Sequence, residues 1–168
     1  QTMTDANQSQ VIDSLGGIRV LLNNSIRELY RRKANEQKFR TDISVDNTVA
    51  IGTGSGAVPD ELMREFLHAA DISNADGDLI TYLDYGIDAN QTFDQLAYIW
   101  IVGDVFRYIG TSPELDTWSG DIVINCPSFP VFPAHMSEEI PFPSSSTIDD
   151  VVLVLASAIL GKQTYQLV

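Results

Sequence analysis

Cysteine occurs once, at Cys126, and histidine twice, at His68 and His135. A single cysteine excludes an internal disulfide, so a reducing compartment fits, or one where redox state is irrelevant. One cysteine and two histidines without CxxC or HxxxH spacing do not make a zinc set. Cys126 and His135 are nine residues apart with no third group to orient them, which argues against a cysteine–histidine nucleophile. No run of about 18 apolar residues occurs, so no transmembrane helix is expected. The opening QTMTDANQSQ has neither the charged start nor the apolar centre of a signal peptide, and reads as a frayed terminus. Lysine is missing between Lys38 and Lys162, which removes the P-loop pattern. Basic residues are scarce, 10 against 23 acidic, for a net charge of -13. Ordinary nucleic-acid binding needs an accessible basic surface and is disfavoured.

What is present describes a globular chain. With 168 residues and 44% apolar composition, a single domain with a real core is expected. The charge is unevenly spread. Residues 1–40 carry seven basic side chains against four acidic, and the remainder three against 19. Such asymmetry fits two ends that contact different things, and fits equally a solvated helix face beside an acidic surface.

Four segments follow one another. Residues 1–40 form a basic helical segment, with helix over about 10–37. Leu15, Ile18, Leu22, Ile26 and Leu29 share one face, while Arg19, Asn23, Arg27 and Arg31 lie four apart on another. Glu28 pairs with Arg32 at i,i+4, and Gly16-Gly17 is a point where the helix breaks. Residues 41–125 form a β-rich body. ISV, TVAI, DLITYLDYG, LAYIWIVGDVFRYIG and DIVIN alternate with turn signals, and predict an antiparallel sheet or small barrel. Within it, DELMREFLHAA favours helix by propensity. Residues 126–146 hold five of the seven prolines and read as an extended arm, neither helix nor central strand. Its Phe129, Phe132, Ile140 and Phe142 need a surface to lie on.

Residues 147–163 then read as a helix. Thr147 is the N-cap with Asp150 three residues on, Asp149 and Asp150 suit the positive end of the dipole, and Gly161 suits C′. Val151, Val152, Leu153, Val154, Leu155, Ile159 and Leu160 cover nearly the whole circumference. A helix apolar all round is buried all round, here by other subunits as well as by its own core. The competing reading is a buried strand, because Val151, Val152, Val154 and Ile159 are β-branched. The fold class is therefore α+β: N- and C-terminal helices packed with a small sheet or barrel, plus a proline-rich arm.

Two stretches invite a chemical reading. TVAIGTGSGAVPDELM sets glycines between a strand and a helical pattern, as a phosphate loop does. Gly52, Gly54 and Gly56 give GxGxG, one residue short of the dinucleotide fingerprint, and no second βα unit follows. A flexible connection is the favoured reading, with a small nucleotide-binding domain the alternative. DISNADGD, residues 71–78, fails the calcium-loop spacing in either register and reads as an Asx-rich turn. Ser55 has Thr53 and Ala57 at the two positions where the GxSxG nucleophile elbow needs glycine. No catalytic, cofactor-binding or metal-ligating set is expected.

One order of features is familiar. RELYRRKAN leads into a β-rich region, TVAI is followed by a loop and VPDELM, and SGDIVINCP by FPVFPAHMSEEIPFPSSSTIDDVVLVLASAILGKQ. This resembles the adaptor, or neck, proteins of tailed phages, which join the portal ring to the tail. The resemblance covers most of the chain as an order of elements, and the long acidic middle departs from it. It implies a non-enzymatic virion protein, assembled in the host cytoplasm, that forms a homo-oligomeric ring of commonly twelve copies with portal and tail proteins as partners. DNA would pass through without sequence-specific binding, along an acidic channel, and no membrane would be involved. The interface residues so implied are Arg27, Arg31, Arg32 and Lys33 on the basic helix, Phe129, Phe132 and Phe142 on the arm, and Val152, Leu155 and Ile159 on the last helix. Another oligomeric phage structural protein, such as a tail-completion or baseplate component, is the alternative.

Overall fold

The computed structural model describes residues 5–84, 97–109, 118–130, 139–140 and 142–166, with the side chains of 5–18 and 162–166 left aside. Phe132 and His135 lie outside the described residues. The class is α+β, with two open sheets rather than a closed barrel. The chain divides into two compact units, one of residues 1–42 with 130–168 and one of residues 43–129.

The first unit is helical. α1 spans Asp5–Lys33, α2 Gln37–Ile43 and α3 Ile148–Gln166. α1 runs unbroken through Gly16-Gly17, where a break was expected, and already begins within the opening segment read as frayed. Paired glycines cost a helix about 2 kcal/mol relative to alanine, which 29 residues of helix absorb. The expected single helix to residue 37 is instead two. The chain turns at Ala34, which is fully buried. Ile26, Leu29 and Tyr30 of α1 and Phe39 of α2 are buried, and the Tyr30 and Phe39 rings meet edge to face at 5.5 Å. The expected Arg32–Glu28 pair forms at 2.8 Å.

α3 is a helix, not a strand, and its start is the capping box that the sequence predicts. The Asp150 carboxylate accepts from the Thr147 N–H at 2.7 Å, and the Asp150 N–H donates to Thr147 Oγ1 at 3.4 Å. Its end differs. Gly161 lies inside the helix, which continues to Gln166. A Cβ at Gly161 would stand 2.8 Å from Leu21 Cδ2, so this glycine lets α1 and α3 approach.

The second unit holds two sheets. β1 (Ser44–Ile51), β7 (Gly120–Pro127) and β3 (Asp71–Asn74) form an antiparallel sheet with β7 in the middle. β2 (Ser55–Ala57), β6 (Val105–Ile109), β5 (Ala97–Val102) and β4 (Ile80–Tyr82) form a mixed sheet in which β4 runs parallel to β5. In β7 the residues Ile122, Ile124 and Cys126 alternate inward, and in register Ile122 pairs with Val49 and Ile124 with Ile72. Together with Ile99, Phe106 and Tyr108 of the mixed sheet they build one core.

Three expectations fail here for tertiary reasons. The segment DELMREFLHAA is helical only as a 3-10 stretch, Arg64–Ala69. The Met63 N–H donates to the Pro127 carbonyl and Leu62 bridges to Ser128, which holds the chain extended just before it. Cys126 and Pro127, assigned to the arm, are the end of the central strand. Pro127 is tolerated at the last position, where its missing N–H breaks no further ladder. The residues DISN form β3, although the turn that follows is as expected. Asn74 Oδ1 accepts from the Asp76 and Asp78 N–H groups, and Gly77 takes φ +85°.

Candidate interaction surface

The chemistry open to the glycine loop is decided by its backbone. Gly52 and Ser55 exchange both hydrogen bonds, and Thr53 and Gly54 between them take φ +52° and +74°. Positive φ at both central residues makes this a tight two-residue hairpin turn of the I′ kind. Every N–H of the loop has a protein acceptor: Gly52 to Ser55, Thr53 to Ser119 Oγ, Gly54 to Trp118 and Ser55 to Gly52. A phosphate cradle needs free amides converging on one point, and these four are already used. Millimolar Mg-ATP is therefore expected to leave the thermal midpoint unchanged. A rise of several degrees would mean that the nucleotide reading deserves return.

Cys126 is fully buried, and burial, with the Glu65 charge as a smaller cause, pushes its thiol up to about 12. A thiol so held is inert. His68 is exposed. Among the described residues no group of three or more acids, histidines or cysteines is placed to hold a metal ion.

The helical unit holds the sequence-predicted interface residues of α1 and α3. α1 and α3 are antiparallel neighbours. At one end Lys33 Nζ meets the Asp150 carboxylate at 2.7 Å, and at the other Leu21 packs on Gly161. Lys33 also stands 5.3 Å from the centre of the Phe39 ring and 3.7 Å from Glu36. With only 14% and 13% of the Lys33 and Asp150 side chains exposed, Lys33 is an internal tie rather than a docking residue. Its hydrogen bond to Asp150 raises the ammonium above its ordinary range despite burial. Burial works to raise the Asp150 carboxyl, but hydrogen bonds from Lys33 and Thr147 outweigh it and hold the group low. Nearby, Asp42 accepts from Ser145 N–H and Ser144 Oγ, both at 2.8 Å, which fixes the chain leading into α3 and lowers the Asp42 carboxyl.

The Lys33–Asp150 tie has a pH signature. Asp150 is depressed, so its contribution is full above the ordinary carboxylate value and is lost as pH falls through the lower folded value. Lys33 is raised, so its contribution is full below 10.5 and is lost as pH climbs through the higher folded value. Lys33→Met is expected to cost about 1–2 kcal/mol near neutral pH. Its melting midpoint should converge with the wild type's as pH falls below the depressed value of Asp150 and as it climbs above the raised value of Lys33. A constant gap across that range would show that the tie contributes through packing alone.

α3 itself presents two stripes. At 3.6 residues per turn, Val151, Val154, Ala158 and Gly161 fall along one side, and Val154 and Ala158 there are buried. Ile148, Val152, Leu155 and Ile159 fall along a second side, and they are 83%, 56%, 43% and 58% exposed. Leu153 and Leu160 are also exposed, on a third side. The expected burial all round is therefore absent in the single chain. Only the stripe toward α1 is covered, and three of the predicted interface residues, Val152, Leu155 and Ile159, sit on the open one.

The other predicted residues divide. Arg31 and Arg32 are exposed and Arg27 is half-buried, along the α1 surface. Phe129 is buried, its N–H donating to the Glu61 carbonyl at 2.7 Å, which makes it part of the sheet unit's own packing and not a free arm contact. Phe142 is half-buried. The sequence reading starts the apolar set of this helix at Val151 and so leaves out Ile148, the most exposed member of the open stripe. Its spacing of four, seven and eleven to Val152, Leu155 and Ile159 was the available signal. No helix among the described residues is long and apolar enough to cross a membrane. In comparison with known proteins the chain matches no family model, no curated protein and no solved structure.

Proposed function

We propose that this chain is a structural subunit that works by assembling with copies of itself, as a ring-forming head–tail adaptor of a tailed phage between portal and tail. The observation that carries this reading is the open apolar stripe of α3, Ile148, Val152, Leu155 and Ile159, on a helix whose neighbouring stripe is already packed. These four side chains leave on the order of 450 Å² of apolar surface in one patch, within the range of the largest patch on a monomer and about half the ~800 Å² per partner of a stable interface. The loop with no free amide, the inert cysteine and the net charge of -13 support a scaffold role over a chemical one. An acidic subunit in a ring repels the DNA that passes it.

The test is the mass of the native assembly, by native mass spectrometry and particle imaging. A closed ring of about twelve copies is expected, held by a heterologous interface that closes on itself. Val152→Gln, Leu155→Gln and Ile159→Gln together should dissolve it without unfolding the subunit, since these side chains make little of its core. A wild type that stays monomeric at high concentration and on a portal ring would overturn the reading. Arg27→Ala, Arg31→Ala and Arg32→Ala together should weaken docking on an acidic portal surface about tenfold or more while leaving the melting midpoint within ~2 °C. Unchanged docking would remove the basic helix from the interface.

A further inference from the structure

The open stripe of α3 has a counterpart in the same chain. The two contacts that join α1 to α3, Lys33 with Asp150 and Leu21 with Gly161, fix an antiparallel register. Extended along the pair, that register brings the end of α3 at Gln166 level with about residue 17 of α1. α1 begins at Asp5. About a dozen residues of helix, some 18 Å, thus run past the end of their own α3. The open stripe, from Ile148 to Ile159, is also a dozen residues long. In sequence, Val11 and Leu15 within the overhang, and Ile18 just past it, continue at intervals of three and four the apolar spacing of Leu22, Ile26 and Leu29.

We propose that the overhanging start of α1 in one copy packs along the Ile148–Val152–Leu155–Ile159 stripe of α3 in the next copy, so that each α3 is held between two α1 helices, its own and its neighbour's. This rests on the assembly reading above and names the contact within it. The stripe's four–three–four spacing is that of a helix-packing seam, in which side chains of one helix enter gaps between four of the other. The geometry is heterologous, since the donor is α1 and the acceptor α3. A chain of such contacts propagates from copy to copy and closes as a ring or continues as a filament.

The single native thiol makes the test clean, because Cys126 is buried and unreactive. Full-length chains carrying Ser14→Cys and full-length chains carrying Ala156→Cys are assembled alone and mixed, then treated with a short bismaleimide. Ala156 is exposed beside the stripe. Cross-linked dimers in the mixture, at least fivefold above either variant alone, are expected, and the added Val152→Gln, Leu155→Gln and Ile159→Gln changes should abolish them. Dimers of Ala156→Cys alone would overturn the proposal, because the stripe would then pair with itself. No cross-link in an assembled sample, or in a chain that stays monomeric, would overturn it too. Particle mass separates the two claims. A closed ring without the α1–α3 cross-link keeps the ring and removes this contact. The cross-link in an open filament keeps the contact and removes the ring.

Discussion

Replacing Phe39 with alanine is expected to destabilise the helical unit by about 3–5 kcal/mol, a large share of the ~5–15 kcal/mol that holds a domain folded. The ring is fully buried at the corner where α1 turns into α2. Three terms are lost together. The transfer and cavity terms for a buried aromatic are the largest. The edge-to-face contact with Tyr30, with centroids 5.5 Å apart and planes at 84°, adds about 0.5–1.5 kcal/mol. The Lys33 ammonium 5.3 Å from the ring adds about 0.5–1 kcal/mol. Lys33 also holds Asp150 at the start of α3, so a slack corner loosens the cap of that helix as well. Phe39→Leu keeps most of the volume and should cost under about 1.5 kcal/mol. The measurement is urea unfolding followed by two signals. Helical circular dichroism reports mainly the helical unit, while both tryptophans, Trp100 and Trp118, lie in the sheet unit. The dichroism midpoint should fall well before the fluorescence midpoint moves. Equal shifts would mean that the two units unfold as one cooperative body. A Phe39→Ala chain within 1 kcal/mol of wild type would show that the corner collapses to fill the space.

Elements governed by their own residues were legible in the sequence. The capping box at Thr147 and Asp150, the Glu28–Arg32 pair and the strand through Ile122 and Ile124 each need only neighbours along the chain or a period of two. What stayed hidden depends on partners far away. Leu62 and Met63 are pulled extended by Ser128 and Pro127, more than 60 residues on, and that overrides the helix propensity of the segment. Pro127 ends a central strand because Ser44 pairs with it across the sheet. Gly161 carried the spacing of a helix end, yet its role is set by Leu21 on another helix. The glycines of the hairpin loop looked like those of a phosphate loop because both follow a strand into a tight turn, although here only Gly54 of the three takes a positive φ. Only the acceptors on Ser119 and Trp118, also distant, tell them apart. For the candidate surface, the sequence showed that α3 is apolar on every side but not which side its own chain covers. That choice belongs to the α1–α3 register, which is fixed by Lys33 with Asp150 at one end and Leu21 with Gly161 at the other.

A single methyl group at Gly56 is expected to cost more than most polar changes on the surface, about 2–3 kcal/mol, although Gly56 has an ordinary φ. Gly56 sits in β2 opposite Phe106, just past the corner from β1. A Cβ there would stand 2.5 Å from the Ala50 carbonyl oxygen, 2.8 Å from Ile51 Cδ1 and 3.2 Å from Val49 Cγ1. The first of these is backbone and cannot rotate away. Ala50 pairs with Asp121 of the central strand, and Val49 and Ile51 are core residues, so β1 has little freedom to retreat. The extra atom must then shift β2 against β6 or β1 against β7. Gly161→Ala makes the matched control. Its Cβ would meet Leu21 Cδ2 at the same 2.8 Å, but that atom is the free end of a flexible side chain. Alanine also gains about 1 kcal/mol of helix propensity over glycine, so this change should fall within ~0.5 kcal/mol of neutral. Trp118 stacks on Tyr108 at 4.3 Å within the strained unit, so tryptophan fluorescence should register Gly56→Ala directly as a lower urea midpoint. Gly56→Val should leave little folded protein. If Gly56→Ala and Gly161→Ala instead cost the same, fixed backbone and mobile side chain would be equally able to yield, and the close packing of β2 on β1 would not be what requires glycine at position 56.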